Sequence, residues 1–206
     1  MSAPVESRIY LASRSPRRRE LLTQINVRFD LLLFRSAERA DPEVDETPLP
    51  GELPEDYVLR VASAKAVHGQ EQIRKRHLLS RPVLAADTAL DLDGRIIGKP
   101  RDETDAHAIL TRLSGRSHRV LTAVAVATPG RIEHALSVSE VSFRELAADE
   151  IKRYVACGEP MDKAGAYGLQ GRGAMFVAEI RGSPSGIVGL PLCETVLLLR
   201  RFGYPL

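Results

Sequence analysis

The sequence predicts an α/β or α+β protein built on a mixed β-sheet. Apolar runs meet at two hairpin signals, Asp93-Gly94 and Pro129-Gly130, so part of the sheet must be antiparallel. Stretches with apolar residues at helical spacing lie between the strand-like runs, which mixes helices with hairpins along the chain. The length of 206 residues with 44% hydrophobic composition is enough for one large domain or two tightly joined lobes. No internal repeat, low-complexity tract or obvious linker interrupts the pattern.

Each element has a local reason. "RIYLA" (8–12) reads as a short strand. Ser15 and Pro16 supply a cap and a first helical residue for a helix over 16–25. "VRFDLLLF" (27–34) is a second strand. Residues 35–54 carry four prolines and several carboxylates (Glu38, Asp41, Glu43, Asp45 and Glu46), a long irregular stretch of the kind that is usually functional or mobile. Val58, Val61 and Ala62 recur at helical spacing and predict a helix over 55–76. "PVLAADTAL" (82–90) is an apolar strand turning at Asp93-Gly94 into "RIIGK" (95–99). Thr104 is expected to cap a helix carrying Ile109, Leu110 and Leu113, closed by Gly115. Segments 118–128 and 132–146 read as two long strands. A helix over 148–157 stops at Gly158, and the glycine-rich "KAGAYGLQGRG" (163–173) leads into a strand at 174–180. Pro191 opens the last helix.

Composition limits the functional classes. The net charge is +2, from 29 basic and 27 acidic residues, and only 5% of residues are aromatic. That balance argues against a nucleic-acid partner, which would require a basic surface or stacking platforms. Cys157 and Cys193 form no Cys-x-x-Cys pair and read as reduced thiols packed as small apolar residues. No apolar run approaches the roughly 18 residues of a membrane span, and the first residues lack a signal-peptide core. A soluble, cytoplasmic protein without a membrane partner is expected.

The chemistry sits in a few isolated polar residues. Arg17, Arg18 and Arg19 occupy the first turn of a helix, where the macrodipole disfavours each cation by roughly 0.3–1 kcal/mol. A strand, a turn and a helix N-terminus form an anion site, and guanidinium forks match phosphate oxygens. Two readings remain open: arginines facing several phosphates, or ordinary solvated surface. On the phosphate reading, loss of Arg18 should cost little stability and even add a little. Lys65 shares the apolar stripe of Val58 and Val61, so it either snorkels to an edge or reaches a cleft. Lys99, in "GKPRD", is a loop cation directly after a strand. Asp87 interrupts an apolar strand, where a carboxylate needs a partner, a hydrogen bond or a metal. Glu38 is the chosen second carboxylate for a divalent ion, among five acids that compete in the loop.

Several other constellations are absent. "GRIIGK" (94–99) falls one residue short of a P-loop, "GSPSG" (182–186) has proline where a nucleophile elbow needs serine, and the histidines lack zinc spacing. Cations, isolated carboxylates and a glycine-rich loop remain, which suits metal-assisted attack of water on a polyphosphate.

"LASRSPRRRELL" (11–22), "AADTAL", "GKPRD" with "LSG", and "GEPMDKAGAYGLQGRGAMFV" with "GLPLCET" resemble the blocks of the Maf family, in the same order. The resemblance covers nearly the whole chain, which therefore reads as one domain, 1–206. Arg14 departs from the small residue common at that position, and the loop around Glu38 is longer and richer in proline than usual. The resemblance implies an elongated mixed sheet flanked by helices, in two lobes around a substrate cleft, similar to the inosine triphosphatase fold and often dimeric. It implies a nucleoside triphosphate pyrophosphatase that cuts between the α and β phosphates. Arg17 and "KAGAYGLQG" match the YhdE-like branch, which acts on dTTP and UTP, over the branch that prefers 7-methyl-GTP. Carried over by position, Asp87 would activate water and share a divalent cation (Mg²⁺ or Mn²⁺) with Glu38. Ser13, Arg18, Lys65 and Lys99 would hold the triphosphate, while Arg17, Thr88 and Gln170 match positions linked to base choice. The competing readings are an inosine triphosphatase-like enzyme and a non-catalytic nucleotide-binding regulator of cell division.

Overall fold

A computed structural model describes residues 7–32 and 44–206. Glu38, Asp41, Glu43 and the end of the second predicted strand lie outside the described residues. Seven strands and six helices follow one another as β1 (Ile9–Leu11), α1 (Pro16–Gln24), β2 (Phe29–Leu31), α2 (Pro54–Lys75), β3 (Val83–Leu92), β4 (Arg95–Ile97), α3 (Glu103–Leu113), β5 (Ser117–Thr128), β6 (Arg131–Phe143), α4 (Ala148–Val155), β7 (Val177–Arg181), α5 (Pro184–Val188) and α6 (Leu192–Arg201). The strands form one mixed sheet in the order β2-β1-β3-β5-β6-β7, with β4 paired to β3. β1 lies parallel to both β2 and β3, and the remaining pairs are antiparallel.

Three apolar cores lie against this sheet. Val83, Ala85 and Ala89 of β3 pack with Val58, Val61, Ala62 and Ala66 of α2. Leu84 and Ala86 point to the opposite face, against Leu21 and Leu22 of α1 and Leu198 and Leu199 of α6. Beyond them, Leu90 and Leu92 enter a third core with Leu110 and Leu113 of α3 and Ile151 and Tyr154 of α4. The period-2 alternation of a strand thus places successive β3 residues against different helices, and the end of the strand enters a different core from its start.

The structure departs from the sequence expectations at five places. Asp102, not Thr104, caps α3, its carboxylate accepting from Asp105 N at 2.7 Å. β6 ends at Phe143, and the segment predicted to be extended from 174 begins as a 3₁₀ turn (Arg172–Phe176). The "GSPSG" stretch, for which no element is expected, forms α5, with Ser183 as its N-cap. Among the described residues, the second predicted strand is extended as β2 only over Phe29–Leu31. Cys157 and Cys193 are free but exposed: Cys157 lies in the turn after α4, and Cys193 is in the first turn of α6 on its solvent side. Among the described residues, no helix is long and apolar enough to cross a membrane.

Candidate active site

Asp87 sits on the α2 face of β3, in the row of Val83, Ala85 and Ala89. Its side chain is 9% exposed, and one oxygen accepts from Lys65 Nζ at 2.8 Å. Lys65 therefore neither snorkels away nor stays unpaired: its stem follows the apolar stripe of α2 and its ammonium ends in a cleft. Burial pushes the Asp87 carboxyl above its ordinary value, while Lys65 and then Arg18 pull it partly back.

The Lys65 ammonium is shared. A Glu46 oxygen also lies 2.8 Å from Nζ. Glu46 is carried on an irregular strap that α2 holds by its carbonyls. Tyr57 Oη donates to the Glu46 carbonyl at 3.0 Å, and Arg60 donates to the carbonyls of Asp45 (3.3 Å) and Thr47 (3.1 Å). Arg60 is itself fixed by a bidentate pair with Glu52 at 2.6 and 2.8 Å, which holds the Glu52 carboxyl down to about 2. Among the described residues of this loop, Glu46 is thus the acid that meets Asp87 at Lys65. The sequence named it only as one competitor among five, since nothing in local pattern says which acid of an irregular segment folds inward.

Thr88, next along β3, faces the other way. There the N-terminus of α1 brings Arg18, whose backbone N donates to the Ser15 cap at 3.4 Å. The Arg18 guanidinium donates from Nε to the Gly189 carbonyl (2.8 Å), from Nη1 to Ser13 Oγ (3.4 Å) and from Nη2 to Thr88 Oγ1 (3.3 Å). Burial pulls Arg18 below its ordinary value, with the charges of Asp87 and Glu46 opposing. Gly189 has φ +126°, a conformation open to glycine, and this turn aims its carbonyl at Arg18.

The glycine-rich segment closes the far side of the cleft. Glu159 organises it, accepting from Tyr154 Oη (2.9 Å), Arg172 N (2.9 Å) and Gly173 N (3.1 Å). Gly165, at φ +72°, packs so tightly on β3 that a Cβ there would lie 2.1 Å from Leu90 Cδ2. Tyr167 Oη meets His118 Nε2 of β5 at 2.8 Å. A cavity of about 660 Å³ joins these walls. Ser13, Arg17, Arg18, Glu46, Lys65, Asp87, Thr88, Lys99 and Gln170 all contribute to its lining, so one cleft gathers every predicted site residue except Glu38, which lies outside the described residues.

The three consecutive arginines divide. Arg17 and Arg18 line the cavity and Arg19 does not. Arg17 reaches across the mouth to Asp162 at 3.1 Å, and Lys99 stands at the mouth, exposed.

The sequence matches the family of Maf-like proteins over residues 8–202. This chain belongs to that family. It is 62% identical over 204 residues to a dTTP/UTP pyrophosphatase of Aromatoleum aromaticum, covering 98% of this chain and 99% of the relative. A dTTP/UTP pyrophosphatase of Dechloromonas aromatica is 60% identical over 197 residues, covering 96% and 98%. Among solved structures, the Staphylococcus aureus Ham1 protein aligns over 95% of this chain and 97% of its own, at 16% identity and a TM-score of 0.47. In this Maf-like chain the cleft thus combines an acid–lysine–acid cluster, a buried guanidinium and a glycine-rich wall.

Proposed function

We propose that this protein hydrolyses dTTP and UTP between the α and β phosphates, releasing the nucleoside monophosphate and pyrophosphate. One observation carries the reading: Asp87 and Glu46 share the Lys65 ammonium in the cavity that also receives Arg18. The names of relatives more than half identical over nearly the whole chain support it.

The chain's own groups supply the steps. Arg18 has N–H groups left after its three protein contacts, and with Lys99 and Lys65 it neutralises the polyphosphate. Asp87, raised by burial but still next to a cation, accepts a proton from water as the water oxygen bonds to the α-phosphorus. The bond from that phosphorus to the bridging oxygen breaks, and pyrophosphate leaves with that oxygen. Gln170, in the glycine-rich wall, can both donate to and accept from a pyrimidine edge, and Arg17 borders the same space.

A divalent cation, Mg²⁺ or Mn²⁺, fits this site. Asp87 and Glu46 are hard oxygen donors already converging on one positive group, and magnesium is commonly held by one or two carboxylates plus substrate phosphates. When bound it would supply charge neutralisation on the phosphoryl oxygens.

Pyrophosphate release measured on dTTP, UTP, ATP, GTP, inosine triphosphate and 7-methyl-GTP, with and without Mg²⁺, tests this. The expected result is a preference for dTTP and UTP that Gln170→Ala erodes without unfolding the protein. Equal rates on purines would defeat the pyrimidine preference, and no release from any of them would defeat the enzyme reading.

A further inference from the structure

Thr122 of β5 is fully buried and lies outside the cavity lining. It is the register partner of Thr88 on β3, so the two side chains share a face of the sheet. Thr122 Oγ1 lies 2.7 Å from the Gly186 carbonyl of α5, which can only accept. A hydroxyl has one proton, so that contact uses the only donor of Thr122. Thr122 must then act as acceptor in its 3.0 Å contact with Thr88 Oγ1, and Thr88 must be the donor. With its proton turned into the sheet, Thr88 offers only lone pairs toward the cleft. One of them takes Arg18 Nη2. The polarity of the whole chain, from Arg18 through Thr88 and Thr122 to Gly186, is therefore fixed at its buried end.

We propose that Thr122 is a positioning residue for phosphate binding: by holding Thr88 as an obligate acceptor, it fixes the guanidinium fork of Arg18 in the cleft. A Thr88 hydroxyl free to rotate could turn its proton toward the Arg18 N–H groups, placing donor against donor and pushing the fork away. The arrangement also revises the part given to Thr88, which in the protein's resting state supports Arg18 and has no proton to offer a base.

The proposal rests on Arg18 binding the triphosphate, so its test reads binding as well as turnover. Inorganic triphosphate binding by calorimetry and dTTP turnover with Mg²⁺ are measured for the unmodified protein, Thr122→Ser, Thr122→Val and Thr122→Ala, each checked by a melting curve. Thr122→Ser, which keeps the hydroxyl, should stay within about twofold in both. Thr122→Val and Thr122→Ala should weaken triphosphate binding about tenfold and raise KM for dTTP in proportion, the scale of a buried donor or acceptor left unmatched, with kcat changed less. In a Thr88→Val background, Thr122→Val should add almost nothing, because the chain is already cut. Normal triphosphate binding in a folded hydroxyl-deleted variant, an equal loss in Thr122→Ser, or multiplicative losses in the double variant would overturn the proposal. Absence of dTTP turnover in the unmodified protein would instead overturn the pyrophosphatase reading, and the triphosphate titration would still decide the role of Thr122.

Discussion

Lys65 Nζ and Asp87 Oδ1 lie 2.8 Å apart, with side chains 15% and 9% exposed, and each explains why the other is tolerated there. A lysine on an apolar helical stripe and an aspartate in an apolar strand are both costly alone. Together they form a nearly buried pair whose net contribution to stability is small, because desolvation offsets most of the attraction. The pair is better understood as an arrangement for chemistry, since Asp87 retains a second oxygen and Lys65 holds a second carboxylate.

Asp87→Asn keeps an acceptor for Lys65 and should fold. Turnover of dTTP should fall by at least about a hundredfold, the usual scale for losing a general base. Near-normal pyrophosphate release from a folded variant would remove Asp87 from the role of base.

Arg60 and Tyr57 hold the strap that carries Glu46 through its backbone carbonyls. Arg60→Ala should raise the Mg²⁺ concentration giving half-maximal activity several-fold, with a smaller effect at saturating Mg²⁺. An unchanged Mg²⁺ titration would separate the strap from cation binding.

Arg18→Ala should lower stability, reversing the sign expected from the helix dipole alone. Relief at the helix end is worth roughly 0.3–1 kcal/mol. Against it stand the Gly189 carbonyl and the hydroxyls of Thr88 and Ser13, which lose their donors. The hydroxyls line the cleft and can turn to water, but the Gly189 carbonyl is buried, and a buried acceptor left without its donor costs about 1–3 kcal/mol, so the loss wins and the melting temperature should drop by a few degrees. A melting temperature equal to or above that of the unmodified protein would restore the dipole-only view.

His118 is buried between the edges of Phe143 and Tyr167, and burial holds it down to about 4 from an ordinary 6.5. The folded state resists the proton that the unfolded state accepts, so stability is full above about pH 6.5 and is lost as pH falls toward 4. The shift corresponds to about 3 kcal/mol across that window. Melting curves between pH 7.5 and 4.5 should therefore show a steep acid decline that His118→Phe flattens. An equally steep decline in the variant would assign the acid sensitivity elsewhere.

Most of the fold was legible because it rests on periodicity and punctuation. The α2 stripe, the Asp93-Gly94 and Pro129-Gly130 turns and the Ser15-Pro16 start are local signals, and each appears in the structure. Asp87 and Lys65 were also legible, as charges in apolar surroundings. What local pattern could not show was how distant pieces meet. Glu46 needed the strap geometry that Tyr57 and Arg60 impose, and α5 was hidden because a five-residue helix has no period to read. The tie of Arg18 to Gly189 and the polarity of the Thr88–Thr122 pair are relations between elements. The cysteines are exposed, against the expectation, because residue type alone does not say which way a turn or a first helical turn faces.

The reach of these ties also sets when the protein becomes active during folding. The β5–β6 hairpin can zip from Pro129-Gly130 with neighbouring residues, a fast local event. Arg18 and Gly189 are separated by 171 positions, and the parallel union of β1 with β3 must close before Arg18 can meet Thr88. Closing loops of that length comes late, because its entropy is spent before any contact rewards it. On refolding, recovered catalysis should therefore trail the far-UV signal of β-structure, and the two returning together would show that the long-range ties close with the hairpins.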